Sequence, residues 1–390
     1  MESIKSIFRN NIRQYAMLIA LLVIMVFFQI MTKGVLLLPM NVANLVLQNS
    51  YVLILAIGMT LCILTGGNID LSVGSLCAFI GAITGTMIIT YKMNVWLAVL
   101  ISLLIGVVVG IWQGFWIAYV RIPAFIVTLA GMLMFRGLTI TILQGLTLSP
   151  FPESFRQISA GFIPDMFGGL GLGVNFTAIL VGIVISAVYI FLEIKKRMER
   201  KKYAFETTPG YLFIAQMVLM VGVINLFTYW LAIYKGIPII LAVIGLLILG
   251  FSIFTMKTVP GRYIYAMGGN EKAAKLSGIN TNKVLFFTYV NMAVMSAIAG
   301  VCFTSRLNAA SPQAGLNFEL DAIAACFIGG ASAYGGIGTV IGGVIGALVM
   351  GVLNNGMSIM GVGSDMQMTI KGLVLLLAVA FDVLSKSKSK

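Results

Sequence analysis

Apolar residues fall along this chain in runs of membrane-spanning length, set apart by short polar or glycine-rich breaks. Twelve runs stand out: 15–32, 45–66, 73–91, 95–120, 124–143, 174–192, 211–233, 238–256, 284–304, 320–335, 338–360 and 367–384. About 20 apolar residues in a helix cross a hydrocarbon core of ~30 Å. The pattern therefore predicts an all-α, polytopic integral membrane protein with about 10–12 transmembrane helices, two of them broken. Lys5, Arg9 and Arg13 precede the apolar stretch from Ala16 to Met31, no small-residue cleavage site follows, and further spans come after it. That reads as an uncleaved first helix starting in the cytoplasm rather than a secretory signal.

Composition closes off whole classes of function. Of the 390 residues only 9% are charged and 60% are hydrophobic, and the mean hydropathy is +1.05. A soluble domain carries about 25% charged residues, so a water-soluble enzyme is excluded. Lys and Arg number 25 against 12 Asp and Glu, a net charge of +13. In a soluble chain this excess would suggest a nucleic-acid partner. Here alternating spans from a cytoplasmic N-terminus put 18 of the cations inside and five outside, which is the positive-inside rule. No nucleic acid is expected, and both termini are expected in the cytoplasm.

The chain has no His, which removes the commonest metal ligand and the commonest proton carrier near neutral pH. Cys62, Cys77, Cys302 and Cys326 stand singly in apolar runs without a CxxC pair, as small hydrophobes do. No metal, redox group or other cofactor is expected.

The connections differ in character. Residues 144–173 carry Pro150, Pro152 and Pro164 with several glycines and read as an irregular external stretch. The internal run Glu193–Gly210 (EIKKRMERKKYAFETTPG) reads as a solvated hairpin held by anionic headgroups of the lipid bilayer, and the SKSKSK tail likewise as a disordered basic end. Gly106, Gly110 and Gly114 recur every fourth residue, as do Gly338, Gly342 and Gly346, with Gly81 and Gly85 a shorter case. On a helix this spacing makes a smooth groove for a neighbour. Residues 65–85 and 328–346 echo each other: Gly-Gly, a small-residue break, then a glycine-grooved helix. Repeats with broken helices build the central pathway of many transporters.

Asp70 lies between two apolar runs in Gly66-Gly67-Asn68-Ile69-Asp70-Leu71-Ser72-Val73-Gly74-Ser75. A carboxylate at membrane depth costs at least ~2.5 kcal/mol on insertion scales, and Asn, Asp and Ser after Gly-Gly compete with helix. Two readings stand side by side. Asn68, Asp70, Ser72 and Gly74 form a polar helix break that lines a translocation path or meets a partner protein. Locally, Asp70 is expected to cap a helix beginning near Leu71, and a cap in a pathway wall serves both. Arg136 either pairs with a carboxylate or reaches an interface. Glu319 and Asp321 suit the first turn of a helix.

The internal segment Pro260–Lys283, PGRYIYAMGGNEKAAKLSGINTNK, is the strongest functional signal. Gly268-Gly269 is expected to break the chain, Asn270 to cap a helix with Glu271 in its first turn, and Gly278 to end it. So short a helix needs something to pack against.

Together, GGNIDLSVGS and GRYIYAMGGNEKAAKLSGI resemble the permease subunits of bacterial ABC importers for ribose, xylose, arabinose and galactose. The C-terminal stretches Asn354–Met357, Gly361–Asp365, Lys371–Leu373 and Ala380–Asp382 are similar to the xylose and multiple-sugar members in particular. The resemblance covers about 45–145 and 238–385 within one transmembrane permease domain, 1–390, with 174–233 as an additional hairpin. It implies a type II-like ABC importer permease, in a bacterial cell membrane, that translocates a monosaccharide by alternating access. It also implies a homodimer with a second permease copy, an ABC ATP-binding subunit and an extracytoplasmic sugar-binding protein. By the same match, 260–283 is the cytoplasmic coupling segment, in which Gly269, Asn270, Glu271, Ala273, Ala274, Leu276, Ser277 and Gly278 dock on the ATPase. The chain lacks a G-x-x-x-x-G-K-[ST] phosphate loop, so it is expected not to be an enzyme, ATP being hydrolysed elsewhere. The alternative is an ion-coupled secondary sugar transporter, which would call for intramembrane carboxylates in a relay, and a passive channel would leave the capped internal helix without a purpose.

Overall fold

A computed structural model describes residues 12–168, 173–203, 205 and 209–387. Lys5 and Arg9, positions 204 and 206–208 of the basic run, and the last three residues of the tail lie outside the described residues. Helices dominate, as the apolar pattern requires. The first half holds α1 (Ile12–Met31), α2 (Pro39–Leu64), α3 (Val73–Gly85), α4 (Val95–Ala118), α5 (Ala124–Leu143), α6 (Glu153–Ala160) and α7 (Phe176–Lys202). After it come α8 (Gly210–Tyr234), α9 (Ile239–Lys257), α10 (Val259–Gly269) and α11 (Glu271–Leu276). The chain closes with α12 (Thr281–Leu307), α13 (Phe318–Ile328), α14 (Val340–Ile359) and α15 (Ser364–Ser387). A π turn, Thr86–Thr90, extends α3. Ten of these helices are long and apolar enough to cross a membrane, and the apolar part of α1, Met17–Met31, is a shorter one.

Two boundaries depart from the sequence pattern. The run 320–335 is not one helix. α13 has 11 residues, about 16 Å at the α-helical rise, and the chain leaves it at Gly329-Gly330, with Gly330 at φ +79°. An irregular stretch then leads to Thr339, whose Oγ1 caps α14 by accepting from the Gly342 N–H at 2.9 Å. The basic run after Glu193, expected as a hairpin loop, instead continues α7 to Lys202, because Lys, Arg, Glu and Met are all good helix formers.

The chain divides into two compact units. The larger takes the chain up to Leu36, Leu45–Ala160 and everything from Ile240. Its centre is α2, buried without interruption from Val52 to Leu64. Around it α12 packs on α4 and α3, α5 on α3, α13 on α14 and α15, and α14 on α1. The glycine grooves have definite occupants. A Cβ on Gly106 would lie 2.5 Å from that of Ala297, and one on Gly110 would lie 2.7 Å from the Val290 Cα, so α12 fills the groove of α4. A Cβ on Gly346 would overlap the Ala325 carbonyl, so α13 fills the groove of α14.

The smaller unit, Leu37–Asn44 and Gly161–Ile239, contains the α7–α8 hairpin. Gly182 admits Thr228, and Asn225 Nδ2 donates to Ser186 Oγ at 2.8 Å. Burial is the largest single influence on Asp165 and opposes its charge. Donors from the N–H groups of Phe167, Phe176 and Thr177 and from the Thr177 hydroxyl outweigh it and hold this carboxyl below its ordinary value. Elsewhere Ile183, Phe191, Leu219 and Val223 are exposed, an apolar surface suited to lipid.

Candidate functional site

Beyond Leu64 the chain turns through Gly66 and Gly67, at φ +119° and +76°, values open to glycine at little cost. Asn68 folds back, its Nδ2 donating to the Thr65 carbonyl at 3.3 Å and to Thr65 Oγ1 at 3.2 Å. Asp70 is fully buried, and its Oδ1 accepts from the Ser72 N–H at 2.8 Å and the Ser72 hydroxyl at 2.7 Å. Gln113 Nε2, from α4, donates to the same hydroxyl at 2.7 Å. The helix begins at Val73 with Ser72 in the cap position, so Asp70 is no direct cap of a helix starting near Leu71. It holds the turn that delivers the chain into α3. Gly74 abuts the Gly315 carbonyl, which ties the start of α3 to the stretch before α13. The sequence signals Gln113 only as a glutamine inside the apolar run 95–120.

A second polar centre is built around Asp321. Asp321 does lie in the first turn of α13, yet its carboxylate binds across helices. Lys371 Nζ of α15 sits 3.0 Å from Oδ1, the Tyr51 hydroxyl of α2 donates to Oδ2 at 2.9 Å, and Asn354 Nδ2 of α14 lies 3.5 Å from Oδ2. Partners 270 and 50 positions away leave no trace in local spacing. Arg136 makes no ion pair with a carboxylate among the described residues; its Nη1 donates to the Pro312 and Ala314 carbonyls at 3.1 and 2.6 Å.

α10 and α11 form an elbow at the same end of the unit as the Gly66-Gly67 turn. The expected break at Gly268-Gly269 is displaced by one residue, since α10 continues through both glycines. The chain breaks at Asn270, which is extended at φ −162° and whose Oδ1 accepts from the Ala273 N–H at 3.0 Å. Gly278, at φ +84°, ends the elbow, and the Ile279 N–H closes on the Ala274 carbonyl at 3.1 Å. Ala273, Ala274 and Leu276 do not share one outward face. Ala274 is turned inward at 5% exposure, whereas Leu276 stands 90% exposed beside exposed Ala273 and Ser277. Glu271 has an intramolecular partner, Arg121 Nη1 at 2.9 Å, and Arg121 Nη2 reaches Thr281 Oγ1 at 3.3 Å and Asn282 Oδ1. The α4–α5 connection thus ties the start of α11 to the start of α12. Among the described residues no cluster of Cys, Asp and Glu could hold a metal ion.

Residues 41–379 match the family described as branched-chain amino acid transport system / permease component. The chain belongs to this family. It is a multi-pass membrane protein, and it is a transport component rather than an enzyme. The xylose transport system permease protein XylH of Haemophilus influenzae is 39% identical over 378 residues, 97% of this chain and 98% of that one. XylH of Escherichia coli is 38% identical over 380 residues, 97% of this chain and 94% of its own. The ribose import permease protein RbsC of Escherichia coli is 35% identical over 342 residues, 88% of this chain and 85% of its own. No solved structure matches the chain significantly.

Proposed function

We propose that this chain is the permease subunit of an ATP-driven ABC importer that moves a monosaccharide, xylose or a related pentose or hexose, across a bacterial cell membrane by alternating access. One observation carries the reading: 39% identity to a xylose permease along 97% of this chain and 98% of that one. The family description names amino acids, but the relatives matched over nearly their whole length are named for sugars. Nothing among these relatives supports the ion-coupled alternative. In this reading a second copy completes the pathway, an extracytoplasmic binding protein delivers sugar, and an ATP-binding subunit works from the cytoplasm, where both termini lie.

Residues Gly269–Gly278 form the contact with the ATPase. Leu276 is its apolar tooth, since a large side chain at 90% exposure on a six-residue helix has little to pack on within its own chain. Gly269 and Asn270 set the elbow, Glu271 holds it to Arg121, and Ala273 and Ser277 flank the tooth. Asn68, Asp70, Ser72 and Gly74 shape the break at the pathway wall. An uncharged sugar needs no countercharge there.

The decisive experiment is uptake of radiolabelled xylose into proteoliposomes holding the permease and its ATPase, supplied with binding protein, with ribose, arabinose and galactose as competitors. Uptake should require ATP and ignore a protonophore, and Leu276→Asp should lower the co-purifying ATPase about tenfold, as loss of a central interface anchor does. Ala274 is unsuited to this test because it is packed inside. Uptake that survives without the ATPase and collapses with the protonophore would establish the ion-coupled reading instead.

A further inference from the structure

Three glycine pairs, far apart in sequence, meet backbone to backbone in the larger unit. They are Gly66-Gly67 after α2, Gly268-Gly269 at the end of α10, and Gly335-Gly336 between α13 and α14. The Gly336 N–H donates to the Leu64 carbonyl at 3.0 Å. A Cβ on Gly268 would overlap that carbonyl and come within 2.5 Å of Gly336 N. A Cβ on Gly67 would overlap the Ala333 carbonyl, and one on Gly336 would lie 2.8 Å from Gly269 N. The Tyr265 hydroxyl of α10 closes the arrangement by donating to the Gly338 carbonyl at 2.9 Å. One turn below, Ile264 packs into a core with Ile57, Leu61 and Leu64 of α2 and Val340 of α14.

Gly268 is the informative member. It lies inside a helix, where backbone geometry makes no demand for glycine and propensity alone favours alanine. What it supplies is the absence of a side chain at the point of contact. Ordinary side-chain interfaces absorb small displacements by changing rotamer, but backbone in direct contact has no such slack, and packed elements respond by shifting as units. Two of the three segments here lead straight into helices: Gly67 through Asp70 into α3, and Gly338 through the Thr339 cap into α14.

We propose that this three-way glycine contact is the joint that transmits movement of the α10–α11 elbow to the starts of α3 and α14, with Gly268 and Tyr265 as its positioning residues. The proposal rests on the reading of α11 as the ATPase contact. A push on α11 enters α10 through the Asn270 bend, reaches Leu64 and Gly336 at Gly268, and draws on the Gly338 carbonyl through Tyr265. Both echoed breaks then move together, as a permease that opens and closes one pathway needs.

The test uses the full complex in proteoliposomes, with permease, ATPase and binding protein, and with labelled xylose and labelled ribose as probes. Three quantities are read: ATPase bound per permease, ATP hydrolysed, and sugar moved per ATP. Gly268→Ala should keep its ATPase yet move roughly tenfold less sugar per ATP, and Tyr265→Phe roughly threefold less, the range seen for residues that carry coupling without touching a ligand. Gly250→Ala, whose Cβ would meet nothing within 4 Å, should match wild type. Unchanged sugar per ATP in Tyr265→Phe, together with an unchanged or non-folding Gly268→Ala, overturns the joint. A wild-type permease that binds no ATPase overturns the importer reading first, and the joint with it.

Discussion

At the scale of single residues, buried polar groups in this chain act by pairing rather than by exposure. Asp70 uses Oδ1 for two donors from Ser72, while Oδ2 has no hydrogen-bond partner among the described residues. Asp70→Asn keeps one acceptor oxygen for Ser72 and discards a buried charge. Asp70→Leu orphans the Ser72 N–H and breaks the chain of bonds to Gln113, a loss of about 1–3 kcal/mol for a buried unsatisfied group. Thermal unfolding of the purified permease should therefore place Asn near wild type and Leu clearly lower, with sugar uptake in the same order. Equal and complete loss of uptake in both variants, at normal expression, would mean that the charge itself is required. The Asp321–Lys371 pair makes a different demand. Lys371→Met strands a carboxylate that is 1% exposed, at a cost of about 3–5 kcal/mol. Adding Asp321→Asn removes the stranded charge, so the double variant should unfold at a higher temperature than Lys371→Met alone.

At the scale of helices, glycine means opposite things depending on its neighbour. Gly110 faces Val290 Cα on α12, whereas Gly137 on α5 meets nothing within 4 Å. Both lie within helices, where alanine gains up to about 1 kcal/mol over glycine. Gly137→Ala should therefore raise the unfolding temperature slightly, and Gly110→Ala should lower it by forcing α4 and α12 apart. Identical shifts for the two would show that the groove does not hold α12. α11 illustrates the other limit. With six residues it is too short to persist alone, and its order comes from Asn270, from inward Ala274 and from Arg121. The exposed Arg121–Glu271 pair supplies under ~1 kcal/mol and serves chiefly to orient the elbow.

At the scale of the molecule, the proposed orientation of the bundle rests on the asymmetry of Lys and Arg. Alternation over the twelve apolar runs of the sequence, 320–335 counted among them, puts 18 on one side and five on the other. On that basis a fluorescent protein fused to either terminus is expected to light up. Alkaline phosphatase fused at the C-terminus should stay inactive, because it matures only outside the cytoplasm. An active C-terminal phosphatase would reverse the assignment and move the α10–α11 elbow away from any ATPase. The same end of the larger unit carries the elbow, the Gly66-Gly67 turn and the Gly335-Gly336 turn. One push at that end can therefore reach two helix starts.

Hydrophobic run length by itself determined the class of this protein and nearly every span, because about 20 apolar residues in a row admit few alternatives to a membrane helix. The glycine spacing announced two grooves, and Asn270 and Gly278 marked the ends of α11, since these signals act within one or two helical turns. What filled the grooves was decided by tertiary structure: α12 is distant in sequence from the glycines of α4, and the neighbouring α13 meets those of α14 only because the chain turns back after Gly329-Gly330. Likewise, nothing near Asp321 announced Lys371 or Tyr51, and nothing near Gly268 announced Leu64 or Gly336. Run 320–335 read as a span because its small residues are apolar on average, yet positive φ at Gly330 ends the helix after 11 residues. Hydropathy averages over such a turn, whereas backbone conformation and the partner it must meet do not.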